Sequence, residues 1–185
     1  MKIRDVLSFK NGGLSITFRA LNSSDITNKY LEALRLEEHF LLNRNNETTH
    51  TDQSKYVEGI SKSTASAIFG VFANSDLIGT VGAQQLDSED GAALGVFIFD
   101  RRYANRGLGK AAIWAGCYLL HNTMGTTRFR AGVAHDNPIS QRVFIGCGFS
   151  LLANKKEKLL FGMRIAQLRN PPQIDPQSIR IASYA

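Results

Sequence analysis

Four cations and two glycines fall close together in this chain: Arg101, Arg102, Arg106 and Lys110 surround Gly107 and Gly109. Ahead of them an apolar run extends from Ala92 to Phe99, and behind them an apolar stretch runs toward His121. A run this short and this apolar reads as a buried strand. A strand that empties through glycines into a helix leaves the first N–H groups of that helix without intrahelical partners. Those donors and the positive end of the helix dipole suit a phosphate, and the four cations strengthen the field. The glycines have a second reading, in which they serve only a turn that needs positive φ. The spacing excludes both the dinucleotide fingerprint G-x-G-x-x-G and the nucleotide loop G-x-x-x-x-G-K-[ST].

The elements that must position this turn belong to a chain of 185 residues, which suits one domain of moderate size. A hydrophobic fraction of 43% and a charged fraction of 21% are ordinary for a globular protein. The net charge of +6 is compatible with polyanionic partners, with a small anionic cofactor or with simple solubility. No dense Lys/Arg block argues for nucleic acid, since Lys155, Lys156 and Lys158 are interrupted by Glu157. Cys117 and Cys147 form no C-x-x-C pair and have no metal-like neighbours, so they read as small buried hydrophobes and no metal is expected. The start, MKIRDVLSFKNGG, lacks the apolar core of a signal peptide, and no run approaches the ~20 apolar residues of a membrane span. The expectation is a cytoplasmic protein with no membrane partner.

Taken in order, Met1–Phe9 and Leu14–Leu21 alternate around an Asn11-Gly12-Gly13 turn and read as a hairpin. Ser23, Ser24 and Asp25 offer caps for a helix from Asp25 to Leu36. Glu37–Gln53 is polar and irregular, a binding loop or simply a surface loop, and Gln53–Ser61 reads as a second helix. Strands follow at Ala67–Ala73, Leu77–Gln85 and Ala93–Phe99, then the main helix at Gly107–Thr123. Arg128–His135 reads as a strand, Ile139–Cys147 as a helix opened by Pro138, and Phe149–Ala153 with Leu159–Met163 as a last hairpin. From Gln167 onward Pro171, Pro172 and Pro176 suggest an extended tail, unless Ile179–Tyr184 docks. Residues 1–166 are thus expected to form the domain and 167–185 a tail.

Two segments carry a resemblance. Arg102-Tyr-Ala-Asn-Arg-Gly-Leu-Gly-Lys-Ala111 resembles the acetyl-coenzyme A loop, [QR]-x-x-G-x-[GA], of the GNAT superfamily of N-acetyltransferases. His135-Asp-Asn-Pro-Ile-Ser-Gln-Arg-Val-Phe-Ile-Gly-Cys-Gly-Phe149 resembles that superfamily's next strand–helix unit, N-x-x-[SA] followed by an aromatic residue and G-F. Members similar to the ribosomal-protein alanine and amino-sugar N-acetyltransferases come nearest. The resemblance spans roughly Leu14 to Arg164. It implies an α/β (α+β) fold: a central mixed, mostly antiparallel sheet, flanked by about four helices and splayed at the gap between the family's fourth and fifth strands. Here that gap lies between Ala93–Phe99 and Arg128–His135.

The resemblance also implies a site. Acetyl-coenzyme A would be the cosubstrate, its pantetheine arm pairing with the backbone of Phe97, Ile98 and Phe99. Backbone N–H groups of Arg106, Gly107, Leu108, Gly109 and Lys110 would hold the pyrophosphate. Asn137 would bond the pantetheine, with Ser140 and Phe144 beside it. An N–H near Phe99 or Asp100 would polarise the thioester carbonyl. The attacking amine must lose a proton, and Glu37, Glu38, Asp100 and His135 are the candidate acceptors. Two departures stand out. Ala104 occupies the [QR] position, and Phe144 replaces the tyrosine that many members use to protonate the departing thiolate. Ser140, Tyr103 or a water would have to serve instead.

Three classes of function follow. The first is an N-acetyltransferase acting on a small primary amine, such as an amino sugar on a nucleotide carrier, or alternatively on a protein N-terminus. The second is a non-catalytic acyl-coenzyme A-binding domain, and the third a basic nucleic-acid module, for which no binding is expected. A homodimer is compatible with the resemblance.

Overall fold

The computed structural model describes residues 5–36 and 49–183. Glu37, Glu38 and the Asn-rich stretch up to Thr48 lie outside the described residues, as do Met1–Arg4 and Tyr184. Among the described residues, nine strands form one sheet in the order β7-β8-β6-β5-β4-β3-β2-β1-β9. In chain order they are β1 (Asp5–Asn11), β2 (Leu14–Ala20), β3 (Ser66–Ala73), β4 (Asp76–Gln84), β5 (Ala92–Ile98), β6 (Arg128–Val133), β7 (Ser150–Asn154), β8 (Leu159–Arg164) and β9 (Ile174–Ser183). The helices are α1 (Asn28–Leu36), α2 (His50–Ser61), α3 (Leu108–Met124) and α4 (Pro138–Gly146). This is the mixed, mostly antiparallel sheet with four helices that the sequence implied.

Local chemistry explains where the elements begin. Asn74 and Ser75 hold φ of +48° and +76°, so a two-residue turn joins β3 to β4 with the twist that a tight hairpin requires. The first helix starts at Asn28 rather than Asp25. The Asp25 carboxylate is taken by Arg19 at 2.7 Å and by the Asn22 N–H, which leaves Ser23–Asp25 as a single 3-10 turn. The second helix begins at His50, earlier than Gln53, because Thr49 and Asp52 cap each other's backbone.

The sheet has an apolar layer on each face. One gathers Leu7, Phe18, Phe69, Val81 and Leu94 with α3 and α4; the other gathers Tyr30, Leu34, Val57 and Phe72 with α1 and α2. From Ala111 to Cys117 every residue of α3 is buried, so this part of the helix is enclosed on all sides. Gly125, with φ +69°, ends it. Among the described residues no helix is long and apolar enough to cross a membrane.

The segment that reads as a tail joins the sheet. β9 pairs antiparallel with β1 from Asp5–Ser183 to Asn11–Ile174, with a bulge where the Lys10 N–H turns to Ser178 Oγ at 2.7 Å. Pro176 sits in this strand without conflict because an edge strand need not donate on both sides.

Candidate active site

β5 lies between unlike neighbours. It pairs antiparallel with β4 from Ala93–Gln84 to Ile98–Gly79. Its contact with β6 is parallel and occurs only at Ala92–Phe129 and Ala93–Arg130. The two strands then part toward their C-terminal ends. The closed end is latched: Arg128 Nη1 donates to Glu89 O at 3.3 Å, and Arg130 reaches Asp90 at 3.4 Å and Gln85 Oε1. Gly91, φ +97°, allows this closure, since a Cβ there would collide with Arg128 O.

Hydrogen-bonded pairs alternate along antiparallel strands. The Phe99 N–H donates to Ile78 O at 3.0 Å, which fixes the phase. Phe97 and Gly95 therefore turn their backbone toward β4, and Val96 and Ile98 toward β6. Beyond Ala93 no pairing with β6 meets them, so Val96 and Ile98 offer an open strand edge, the template on which an extended amide-bearing chain docks. This narrows the sequence expectation. Ile98 faces the gap; Phe97 and Phe99 do not, and their rings pack 5.6 Å apart on the α1–α2 side with Tyr30 5.4 Å from Phe99. The Asp100 N–H also goes to Ile78 O, at 3.3 Å. The amide donor expected near Phe99 or Asp100 is thus engaged on β4, and the gap-facing donors are Val96 and Ile98. Val96 was not expected, because the alternation can be phased only once the β4–β5 register is known.

A helix follows each strand of the gap. α3 is capped by Gly107, φ +73°, with no side-chain cap bond. Its first intrahelical bond is Ala111 N–H to Gly107 O at 3.0 Å, so the N–H groups of Leu108, Gly109 and Lys110 form a bare first turn. Leu108 is buried and anchors that turn. Gly109 lets α3 approach α4, for a Cβ there would sit 3.2 Å from Val143 Cγ2. The Lys110 side chain crosses Gly146, which carries its ammonium to the C-terminal end of α4, where the helix dipole favours a cation. Arg106 is exposed, its guanidinium 5.9 Å from the Tyr103 ring.

α4 begins differently. Asn137 Oδ1 accepts the Ser140 N–H at 3.0 Å, and Pro138 removes one N–H altogether. Asn137 and Ser140 are thus a cap pair, and Asn137 Nδ2 has no partner among the described residues. Phe144 is buried, edge-on to Phe149 with centroids 5.1 Å apart. Its ring belongs to the core and has no proton to give.

The proton acceptors separate. Asp100, 2% exposed, pairs with Arg102 at 2.7 Å and Lys29 at 2.5 Å and caps the Arg102 N–H. The Arg102 guanidinium beside it, with Lys29, outweighs burial and holds its carboxyl well below the usual carboxylate range. A carboxylate so stabilised is a poor base for an ammonium, so Asp100 is a clamp between α1 and the end of β5, not the base. His135 is exposed, with Nε2 2.9 Å from Lys155 O in the β7–β8 turn. That carbonyl only accepts, so Nε2 carries a proton, and in the neutral ring Nδ1 is the nitrogen with the lone pair. Cys117 and Cys147 are buried, and burial pushes the Cys147 thiol up to about 12. Among the described residues no cluster of three His, Cys, Asp or Glu could hold a metal.

A splayed parallel pair, with a bare helix N-terminus at its mouth, is the geometry the resemblance requires. Compared with known families, residues 15–150 match the Acetyltransferase (GNAT) domain. The chain belongs to this family. It is an acyltransferase, and acetyl-coenzyme A is its cosubstrate. Solved structures share the fold at low identity. RimJ from Mycobacterium smegmatis, in complex with CoA-disulfide, superposes with a TM-score of 0.75 at 15% identity, over 90% of this chain and 90% of that one. Spermidine N-acetyltransferase from Vibrio cholerae, with CoA and spermine, gives 0.68 at 15% identity, over 82% and 96%. PaiA N-acetyltransferase from Thermoplasma acidophilum, with coenzyme A, gives 0.65 at 16%, over 81% and 99%. No curated protein sequence matches the chain.

Proposed function

We propose that the chain transfers the acetyl group of acetyl-coenzyme A to the primary amine of a small acceptor that carries an anionic group, such as an amino sugar on a nucleotide carrier. The observation that carries the cofactor half of this reading is the open edge of Val96 and Ile98 leading to the bare first turn of α3. The edge supplies N–H and C=O groups for an amide-bearing arm, and the turn supplies N–H groups for a pyrophosphate. The coenzyme brings the acyl group as a thioester.

The chain's own residues do the rest. An N–H of Val96 or Ile98 facing the gap stabilises negative charge on the carbonyl oxygen as the amine attacks. The acceptor's proton leaves to water or to His135 Nδ1, since Asp100 is locked in its ion pairs. Phe144 cannot protonate the thiolate, so Ser140, Tyr103 or water does so.

The acceptor half rests on charge. Asp100 is the buried carboxylate at this end of β5, and it is already matched by Lys29 and Arg102. Among the described residues that carboxylate has no charge to spare for a polycation, whereas an anionic carrier meets a chain of net charge +6. A second reading, acetylation of a protein N-terminus, follows from the resemblance to the ribosomal-protein alanine acetyltransferases. The test is release of coenzyme A over a panel of amino-sugar nucleotides, N-terminal peptides and polyamines. Turnover on the nucleotides supports the first reading, turnover on peptides alone the second, and turnover on polyamines alone contradicts the charge argument. We also place the reaction in the cytoplasm, within a single domain that takes in β9.

A further inference from the structure

Asn11 lies at the end of β1, paired to Leu14 in β2 and to Ile174 in β9, and its side chain is buried at 1% exposure. Nδ2 donates to Arg106 O at 2.9 Å, across 95 residues of sequence. Its Oδ1 is buried with no hydrogen-bond partner. A polar side chain held this deep with half its hydrogen-bonding capacity unused is not there for packing. Its one bond is to the loop that opens α3.

The chain leading into β9 reaches the same loop. The Arg169 N–H donates to Cys147 O at 3.0 Å at the end of α4. The chain then turns through Pro171, whose carbonyl accepts the Ile174 N–H at 3.0 Å, and Gln173 O accepts the Gly12 N–H at 2.9 Å. The Gln173 side chain covers Gly107, its Cδ and Oε1 each 3.0 Å from where a Cβ would stand. A strap thus runs from α4, past the loop, to the β1–β2 turn.

That loop needs support from outside. Asn105 and Gly107 are both in the left-handed region, at φ +59° and +73°, and no side chain caps the helix they lead into. A segment with unused N–H groups and sparsely populated angles holds its shape only if its surroundings fix it.

We propose that Asn11 and Gln173 are positioning residues for the coenzyme-binding loop, and that the C-terminal strap preorganises the site. They do not touch the reacting atoms. They fix Arg106 and Gly107 so that the first-turn N–H groups of α3 converge on the pyrophosphate before it arrives. This rests on assigning the pyrophosphate to that turn.

The test is calorimetric titration of the full chain with coenzyme A, together with acetyl-transfer kinetics, for the parent, Gln173→Ala and Asn11→Ala. Gln173 is exposed, and its backbone bond to Gly12 survives the substitution, so this variant should fold and melt like the parent. The expected result is a fivefold to tenfold higher Kd for coenzyme A and KM for acetyl-coenzyme A in Gln173→Ala. At saturating cosubstrate, kcat should be unchanged. Asn11→Ala should show a larger rise, with a lower Tm. If the parent binds and Gln173→Ala binds equally well, the brace is overturned while the loop assignment stands. If the parent does not bind coenzyme A at all, the loop assignment falls and the brace with it.

Discussion

The two helices that leave the gap begin in opposite ways. α3 starts at a glycine with positive φ and offers three N–H groups with no side-chain cap. α4 starts at Asn137, which caps it internally, and at Pro138, which has no N–H to offer. Both follow strands of one parallel pair, and both have the same dipole sense. One terminus is finished by its own side chain; the other is left for a ligand to finish. The contrast supports the proposal that the anion binds at α3, while the start of α4 serves stability.

Changing the cap of α3 should break that contrast most. Gly107→Val forces a β-branched residue into the left-handed region beneath Gln173, a strain of about 1–3 kcal/mol. Together with the displaced N–H groups, it should weaken coenzyme A binding by about 100-fold in calorimetry. Unchanged affinity would mean that the bare turn is only a turn.

At α4 the expected loss is of stability. Asn137→Ala removes the cap and should lower stability by about 1 kcal/mol, a Tm shift of roughly 2–4 °C. Asn137→Asp keeps the cap but loses the Nδ2 donor. It should melt like the parent and raise the KM for acetyl-coenzyme A by about three- to tenfold, the share of one hydrogen bond. An Asp variant with the parent's KM would leave Asn137 as a cap alone.

Asp100→Asn tests the clamp at the end of β5. The folded chain holds this carboxyl below its ordinary range, whereas the unfolded chain would take up its proton near pH ~4. The contribution is therefore full above that pH and erodes as the pH falls. The variant should melt a few degrees lower at pH 7, draw steadily closer to the parent as the pH falls from about 4 toward the lowered folded-state range, and keep the parent's pH profile of kcat. Loss of the acid limb of kcat would restore Asp100 as the base. Arg106→Ala should have the smallest effect, a loss of affinity of about two- to threefold that shrinks with added salt, because its guanidinium is exposed and screened.

Much of this was legible in the sequence. Hydrophobic period and turn chemistry placed β1 to β8 within a few residues, and the Gly107–Gly109 segment with Asn137-Pro138 marked the two helix starts. What the chain does not state is register. Whether Phe97 or Ile98 faces the gap depends on a one-residue phase, set by Phe99 N–H to Ile78 O, which no single strand reveals. β9 was hidden for another reason. Pro171, Pro172 and Pro176 read against a strand, and only the free edge of β1 makes the pairing favourable. Nor could sequence spacing bring Asn11 to Arg106. Asp100 reads as a candidate base because only the fold turns Arg102 back onto it and brings Lys29 to it from a different element.

The most direct test of the account is residue-resolved amide hydrogen exchange, with and without coenzyme A. Bound coenzyme should slow exchange at Val96 and Ile98 and at Leu108, Gly109 and Lys110, and leave Ser140, already bonded to Asn137, unchanged. Protection at the start of α4 without protection at α3, or none at the β5 edge, would contradict it.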